Sequence, residues 1–186
     1  MLDRTFTPFP ILTTERLTLR QLVITDEQEI FTLRSDSEIN KYLDRSISNT
    51  IDDAKKFINK VNESISNNES LYWVITLNNK NTLAGTICLF SFSDEGDKCE
   101  IGYELLTNFQ GQGIMNEAIE KVIDYAFSIG KVRKLEALIH RDNQSSINLL
   151  KKLSFIVSNE HNNTEPDLIC YHLINPTGDI KYRNYI

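Results

Sequence analysis

The sequence predicts a mixed α+β fold, and three observations predict it. Hairpin-linked strand patterns fill the middle of the chain, two capped helices precede them, and a strand, helix, strand unit follows. With 186 residues and 40% apolar content, residues 1–186 are expected to make one domain with a substantial core.

Taken in order, Arg16 to Gln21 alternates as a strand with Leu17 and Leu19 inward. Thr25 with Gln28 resembles a capping box before a helix from Asp26 to Arg34, and Thr50 with Asp53 resembles another before Ile51 to Ser64. Leu71 to Leu77, Leu83 to Phe92 and Cys99 to Leu106 read as three strands. Asn78-Asn79-Lys80-Asn81 and Asp94-Glu95-Gly96-Asp97 are turns suited to antiparallel hairpins between them. An amphipathic helix opens at Ile114, because Ile114, Ala118, Val122, Tyr125, Ala126 and Ile129 share one face, and Gly130 is its natural stop. Leu135 to Ile139, a helix from Ser145 to Leu153, and strands near Phe155 to Asn159 and Leu168 to Ile174 complete the order. There is no internal repeat and no low-complexity tract beyond the mildly polar Asn62 to Ser70.

Charge and composition narrow the function. A net charge of -6 argues against general nucleic-acid binding, since phosphate backbones would be repelled on average, whereas cationic substrates would be tolerated. No apolar run is long enough to cross a membrane, and Met1-Leu2-Asp3-Arg4-Thr5-Phe6 lacks the basic then apolar pattern of a signal peptide, so a cytoplasmic location is expected. Cys88, Cys99 and Cys170 are far apart and odd in number, which suggests reduced thiols, no disulfide framework and no metal site.

The most informative stretch is Gln110-Gly111-Gln112-Gly113-Ile114-Met115, a glycine-containing turn between a strand and the Ile114 helix. Glycine lets a backbone approach a ligand closely, and unpartnered first-turn amides with the helix dipole favour an anion such as phosphate. A P-loop would need Lys and Ser or Thr after its second glycine, where Ile114 and Met115 stand. A dinucleotide fingerprint would want glycine at Asn116 and an acidic strand end, for which only Asp142 could serve. A plain tight turn between strand and helix is the simpler alternative.

A second segment, Asn143-Gln144-Ser145-Ser146-Ile147-Asn148-Leu149-Leu150-Lys151-Lys152-Leu153-Ser154-Phe155, changes the balance. Together the two segments resemble the GNAT acetyltransferases, in which Gln/Arg-x-x-Gly-x-Gly/Ala binds the pyrophosphate of acetyl-CoA and an Asn-x-x-Ser helix followed by Gly-Phe lies beside the pantetheine arm. Glu15-Arg16-Leu17-Thr18-Leu19-Arg20, Trp73-Val74-Ile75, Ala84-Gly85-Thr86-Ile87 and Glu100-Ile101-Gly102-Tyr103 stand in the order of the RimJ/RimL-like branch, which acetylates protein N-termini and some small amines. The resemblance implies a central mixed, mostly antiparallel sheet of about seven strands with a splayed parallel pair, flanked by about four helices. Three departures stand out: Met115 in the last Gly/Ala position, Ser154 for the usual Gly before Phe155, and no Tyr between Asn143 and Phe155 to serve as an acid. Ser154 should carry some strain if its φ is positive.

What the resemblance implies about the site is specific. Backbone groups of Tyr103, Glu104, Leu105 and Leu106 would pair with pantetheine, and an amide near Leu105 or Leu106 would polarise the thioester carbonyl. Amides of Gln110, Gly111, Gln112, Gly113, Ile114 and Met115 would cradle phosphate, with Asn143 and Asn148 as further cofactor contacts. Helix N-capping is an equal role for Asn143. Ser146 becomes the candidate acid for the leaving thiolate, against a helix-capping role, and Glu104 the candidate base, against that of a paired strand carboxylate. His140 could be recruited, His161 and His172 show no ligand spacing, and Lys151 and Lys152 could approach the CoA 3′-phosphate. The expected reaction transfers acetyl from acetyl-CoA to a primary amine, a protein or peptide N-terminal α-amine first. A small-molecule amine acceptor and a CoA-binding module without turnover are the alternatives. Acceptor choice would fall to the helices Asp26 to Arg34 and Ile51 to Ser64 and a hairpin around Asn159 to Asp167. The oligomeric state is open, a homodimer being the commonest assembly for such an enzyme.

Overall fold

The computed structural model describes residues 5–78, 82–158 and 166–176. Among them are strands β1 (Leu12–Thr13), β2 (Leu17–Gln21), β3 (Leu71–Leu77), β4 (Leu83–Phe90), β5 (Lys98–Leu105), β6 (Lys134–His140), β7 (Ile156–Val157) and β8 (Leu168–Ile174). The α-helices are α1 (Glu27–Ser35), α2 (Ser37–Asn40), α3 (Ile51–Ser66), α4 (Ile114–Ser128) and α5 (Gln144–Lys152). The eight strands form one sheet in the order β1-β2-β3-β4-β5-β6-β8-β7, antiparallel throughout except for the parallel pair β5 and β6. The predicted mixed α+β class and mostly antiparallel sheet are therefore present, with one strand and one helix more than expected.

Helices cover both faces of this sheet. Alternation along β3 sends Leu71, Trp73 and Ile75 into a core shared with Ile114, Ala118, Val122 and Leu150 of α4 and α5. Tyr72 and Val74 join Ile30, Leu33, Ala54 and Ile58 of α1 and α3 on the other face. Burial on both sides explains why β3 reads as a nearly unbroken apolar run.

Local chemistry explains the helix boundaries. The Thr50 and Asp53 capping box forms, with Thr50 Oγ1 accepting from the Asp53 N–H at 3.2 Å and Asp53 accepting from the Thr50 N–H at 3.0 Å. The Thr25 and Gln28 box does not form. A 3-10 turn, Ile24–Asp26, occupies that place, and buried Asp26 organises it by accepting from the Val23 N–H at 2.9 Å and from both Arg20 Nη atoms at 2.8 and 2.7 Å. Helix α2 is one short turn started by Asp36, whose carboxylate accepts from the N–H groups of Glu38 and Ile39. Residues 1–4, most of the Asn78 to Asn81 turn, the end of the strand expected to reach Asn159, His161 and most of the Asn159 to Asp167 hairpin lie outside the described residues.

The end of α5 confirms the strain expected at Ser154, where φ is 66°. The Phe155 N–H donates to Leu150 O at 3.0 Å and the Ser154 N–H to Lys151 O at 3.1 Å, the pairing of a helix stop that needs a left-handed residue. Replacing Ser154 by Gly is expected to stabilise the protein by about 0.5–1 kcal/mol, the relief of left-handed strain outweighing the added freedom of the unfolded chain. Urea unfolding measures it, and a destabilised Ser154→Gly would refute the strain.

A charged cluster marks the point where β5 and β6 meet. Glu136 is buried and accepts from Lys134 Nζ at 3.0 Å, with Lys98 Nζ at 3.4 Å. Burial raises its carboxyl pKa, but the hydrogen bond and charge of Lys134, together with Lys98, outweigh this and hold it below the usual range. A depressed folded-state pKa contributes stability above the unfolded value of about 4.3 and loses it as pH falls through the folded value. Glu136→Gln should therefore cost about 1–3 kcal/mol at neutral pH, with the gap to wild type closing below about pH 4. Denaturant titrations across that range test the sign, and a pH-independent gap would show that charge is not its origin.

Candidate active site

Pairing between β5 and β6 covers only Lys98, Cys99 and Glu100 against Lys134, Leu135 and Glu136. Beyond that vertex the strands diverge, while β5 stays paired with β4 up to Gly85 against Leu105 and the Leu106 N–H donates to Ala84 O at 2.9 Å. Antiparallel alternation then directs the backbone groups of Gly102, Glu104 and Leu106 at β4, and those of Ile101, Tyr103 and Leu105 at the open side. Gln110 Nε2 reaches Leu105 O from that side at 3.2 Å. Of the four backbone positions expected to be open, Tyr103 and Leu105 are, whereas Glu104 and the Leu106 amide are engaged with β4. Gly85 allows this close pairing, since a Cβ there would lie 2.3 Å from Glu104 O.

Beyond β5 a 3-10 turn, Thr107–Phe109, leads into the glycine turn. Gly113 is the N-cap of α4 with φ 75°, and Gly111 has φ 72°. Both conformations suit glycine. No side chain caps α4, and its ladder begins with the Glu117 N–H donating to Gly113 O at 3.1 Å. The amides of Ile114, Met115 and Asn116 precede that ladder, which is the donor arrangement a phosphate requires. Arg16 braces the loop by donating to Gln112 O from Nη1 at 3.1 Å and to Glu117 from Nε at 2.6 Å. Burial raises the Glu117 pKa, but hydrogen bonds from Thr14 and Arg16 outweigh it and hold the carboxyl below its ordinary range.

Helix α5 supplies the opposite wall. Asn143 caps it, its Oδ1 accepting from the Ser146 N–H at 3.2 Å and the Ser145 hydroxyl at 2.9 Å. Ser146 and Tyr103 both line the cleft. The Tyr103 hydroxyl is buried, and its polar neighbour Ser146 stands short of a fully formed hydrogen bond. Burial pushes the phenol up to about 12, against a smaller pull from Ser146. Asn148 is exposed, accepts from Gln144 Nε2 at 3.1 Å and does not line the cleft. Gln112 likewise stands outside, with its side chain donating to Asn108 O at 2.8 Å.

Glu104 faces the other side of the sheet. Its carboxylate accepts from Arg45 Nη2 at 2.5 Å and from the Thr86 hydroxyl at 3.3 Å, and Thr86 in turn accepts from Tyr72 at 3.0 Å. Asn40 holds Arg45 through Nε at 2.6 Å. Burial first, then the nearby Glu104 charge, pushes the Tyr72 phenol far up and the Cys88 thiol to about 12, so Cys88 stays a neutral thiol. His140 stacks against Tyr42 with ring centroids 5.3 Å apart.

The divergence opens one cleft of about 470 Å³ touched from both faces, by Glu38 and Tyr42 beside α2 and by Asn143, Ser146 and Lys152 of the α5 wall. That volume lies in the range of small-molecule and cofactor sites. Asn116 Oδ1 is buried in the wall without a partner. The open strand edge, the left-handed N-cap and this orphaned amide together fit a phosphate-bearing, amide-rich ligand such as acetyl-CoA. Arg16, Asn116 and Arg45 were missed by sequence reasoning. Arg16 had a signal, standing in the quoted Glu15-Arg16-Leu17 run, whereas Arg45 and Asn116 gain meaning only from long-range neighbours.

Gly113→Asp tests the loop. It forces a side chain, whose Cβ would lie 3.6 Å from Arg16 Nη2, into a left-handed N-cap and adds a carboxylate where the helix amides would meet phosphate. Affinity for CoA should fall about 100-fold or more with the fold retained. Calorimetric titration reads the loss, and unchanged affinity would remove the loop from the site.

Comparison with known proteins agrees with this geometry. Residues 16–156 match the family model of the acetyltransferase (GNAT) domain. The chain is 34% identical over 145 residues to the uncharacterized N-acetyltransferase p20 of Bacillus licheniformis, covering 77% of this chain and 81% of that protein. Among solved structures, RimL, a ribosomal L7/L12 alpha-N-protein acetyltransferase in complex with CoA, matches with a TM-score of 0.76 at 20% identity, over 89% of this chain and 98% of its own. A spermidine N-acetyltransferase from Vibrio cholerae, in complex with CoA and spermine, gives 0.75 at 21% identity, over 87% and 97%. The family match spans both the glycine turn and the Ser146 helix, and on this ground the chain belongs to the GNAT family and is an acetyl-CoA-dependent N-acetyltransferase.

Proposed function

We propose that the acceptor is a protein or peptide N-terminal α-amine, as in the RimJ/RimL-like branch. The observation that carries this is the state of Glu104: its carboxylate is engaged by Arg45 and Thr86. A site whose strand carboxylate is so occupied suits an amine that already supplies its neutral form. An α-amine, with a pKa of about 7.7–8.0, does so near neutral pH, whereas lysine at about 10.4 does not. The likeness in fold to RimL is consistent with this reading.

Acetyl-CoA brings a thioester carbonyl and a thiol leaving group of pKa about 8.5. In our reading the amides from Gly111 to Met115 hold its pyrophosphate, that of Gln110 being given instead to Thr107 O at 3.2 Å, and the open edge at Tyr103 and Leu105 pairs with the pantetheine arm. An amide of that edge polarises the carbonyl. Ser146 donates to the departing sulfur from the α5 face, and the amine approaches from the α2 face, where Glu104 and Arg45 set the local charge. Much of the rate then comes from positioning.

A polyamine acceptor is the second reading, favoured by Glu38 and Glu104 on the cleft wall and the net charge of -6. The pH profile separates the two. With a peptide bearing a free N-terminus and no lysine, log(kcat/KM) should rise with pH and level off near the amine's own pKa, about 7.7–8.0. Faster turnover of an N-terminally blocked, lysine-containing peptide would defeat the α-amine assignment. Inertness of both peptides with turnover of spermidine would establish the second reading.

A further inference from the structure

We infer that Tyr103 is a positioning residue for the transfer step, its hydroxyl completing a hydrogen bond to Ser146 Oγ when CoA is bound and so turning the Ser146 hydroxyl toward the leaving sulfur. This rests on the acetyl-transfer reading of the cleft but not on the identity of the amine.

The two side chains come from different elements. Tyr103 projects from the diverging stretch of β5 onto the α4 and α5 face, and Ser146 lies in the first turn of α5. The Tyr103 hydroxyl is buried with no completed hydrogen bond, an arrangement that costs stability. Ser146 is a polar group beside it, and both residues line the cleft. Ser145, rather than Ser146, gives its hydroxyl to the capping carboxamide of Asn143. The Ser146 hydroxyl is therefore not used as the cap, and a hydroxyl that accepts one hydrogen bond can still donate another.

Chained donors reinforce one another, so a Tyr103 bond to Ser146 would make Ser146 the stronger donor to a sulfur gaining negative charge. The proton balance needs no loss from tyrosine. As the amine nitrogen bonds to the acyl carbon and the C–S bond breaks, the electron pair leaves on sulfur, and the product nitrogen gives its extra proton to water. The thiolate is held by the Ser146 hydrogen bond and takes a proton from solvent on release. With its pKa near 12, Tyr103 keeps its proton, and thus its donor role, throughout the working range.

Tyr103→Phe removes the hydroxyl alone. Its thermal midpoint should equal or exceed that of wild type, because an incompletely bonded buried group is deleted, while kcat falls about 3- to 10-fold at unchanged acetyl-CoA affinity. The second readout needs no acceptor. The thiol of bound CoA, titrated by thiolate ultraviolet absorbance, should ionise at higher pH in Tyr103→Phe than in wild type. In a Ser146→Ala background, Tyr103→Phe should change neither kcat nor this titration further, since the tyrosine acts through the serine. Additive losses in the double variant, or a Tyr103→Phe protein with wild-type kcat and wild-type thiol titration, would overturn the assignment. A wild type that binds no CoA would instead refute the acetyl-transfer reading beneath it.

Discussion

The molecule depends on the short reach of one parallel strand pair. Three residue pairs hold β5 to β6, and the strands then part. Sheet edges are normally covered, because a row of unpaired N–H and C=O groups is a liability. Here an edge is opened in the middle of the sheet and walled by α4 and α5, which leaves a slot fitted to a ligand that can pair like a strand. The clamp of Lys98 and Lys134 on Glu136 sits at the vertex, so an electrostatic contact well away from the chemistry fixes where the opening starts.

Of the four buried side-chain atoms without a hydrogen-bond partner among the described residues, two line that slot and two, Arg34 Nε and His172 Nδ1, do not. The Tyr103 hydroxyl and Asn116 Oδ1 are buried without completed hydrogen bonds, and the N-cap of α4 supplies no side chain for its first amides. Polar groups left so in a folded interior cost stability, and the two beside the uncapped α4 N-terminus border a surface that a ligand could complete. On the opposite face Arg34 Nε is likewise without a partner, but the groups beside it are bonded to one another. Tyr72, Thr86, Glu104, Arg45 and Asn40 form a continuous bonded chain, which leaves that wall rigid before any acceptor arrives.

Elements with strong periodicity were legible in the sequence. β3 and β8 lie where alternation and apolar runs put them, and α4 starts at the residue that opens its apolar face. The glycine turn and the Asn143 helix were legible because their chemistry is local: left-handed turns, caps and amides are written in neighbouring residues. Short elements were not. β1 has two residues and α2 a single turn, too few to show a period. The Thr25 box failed because Asp26, bonded to the Val23 N–H and to Arg20 six residues upstream, offered a better closure. Likewise the partner of Glu104 lies 59 residues away at Arg45, and the neighbour of the Tyr103 hydroxyl is on another helix. Alternation alone could have split Tyr103 and Leu105 from Glu104 and Leu106, but only the β4 register says which pair is open.

That register carries one further consequence. Successive residues of β5 face opposite sides of the sheet, so the slot is walled from both, by residues of α5 and by residues of α2 and just beyond it. Two ligands held against different walls can be bound at once, which favours a ternary complex over a relay through an acylated enzyme. The neutral Cys88 thiol is no nucleophile for such a relay. An inhibitor joining a CoA-like half to an amine-bearing half would rest against both walls at once, gaining from each the affinity that separate ligands must find alone.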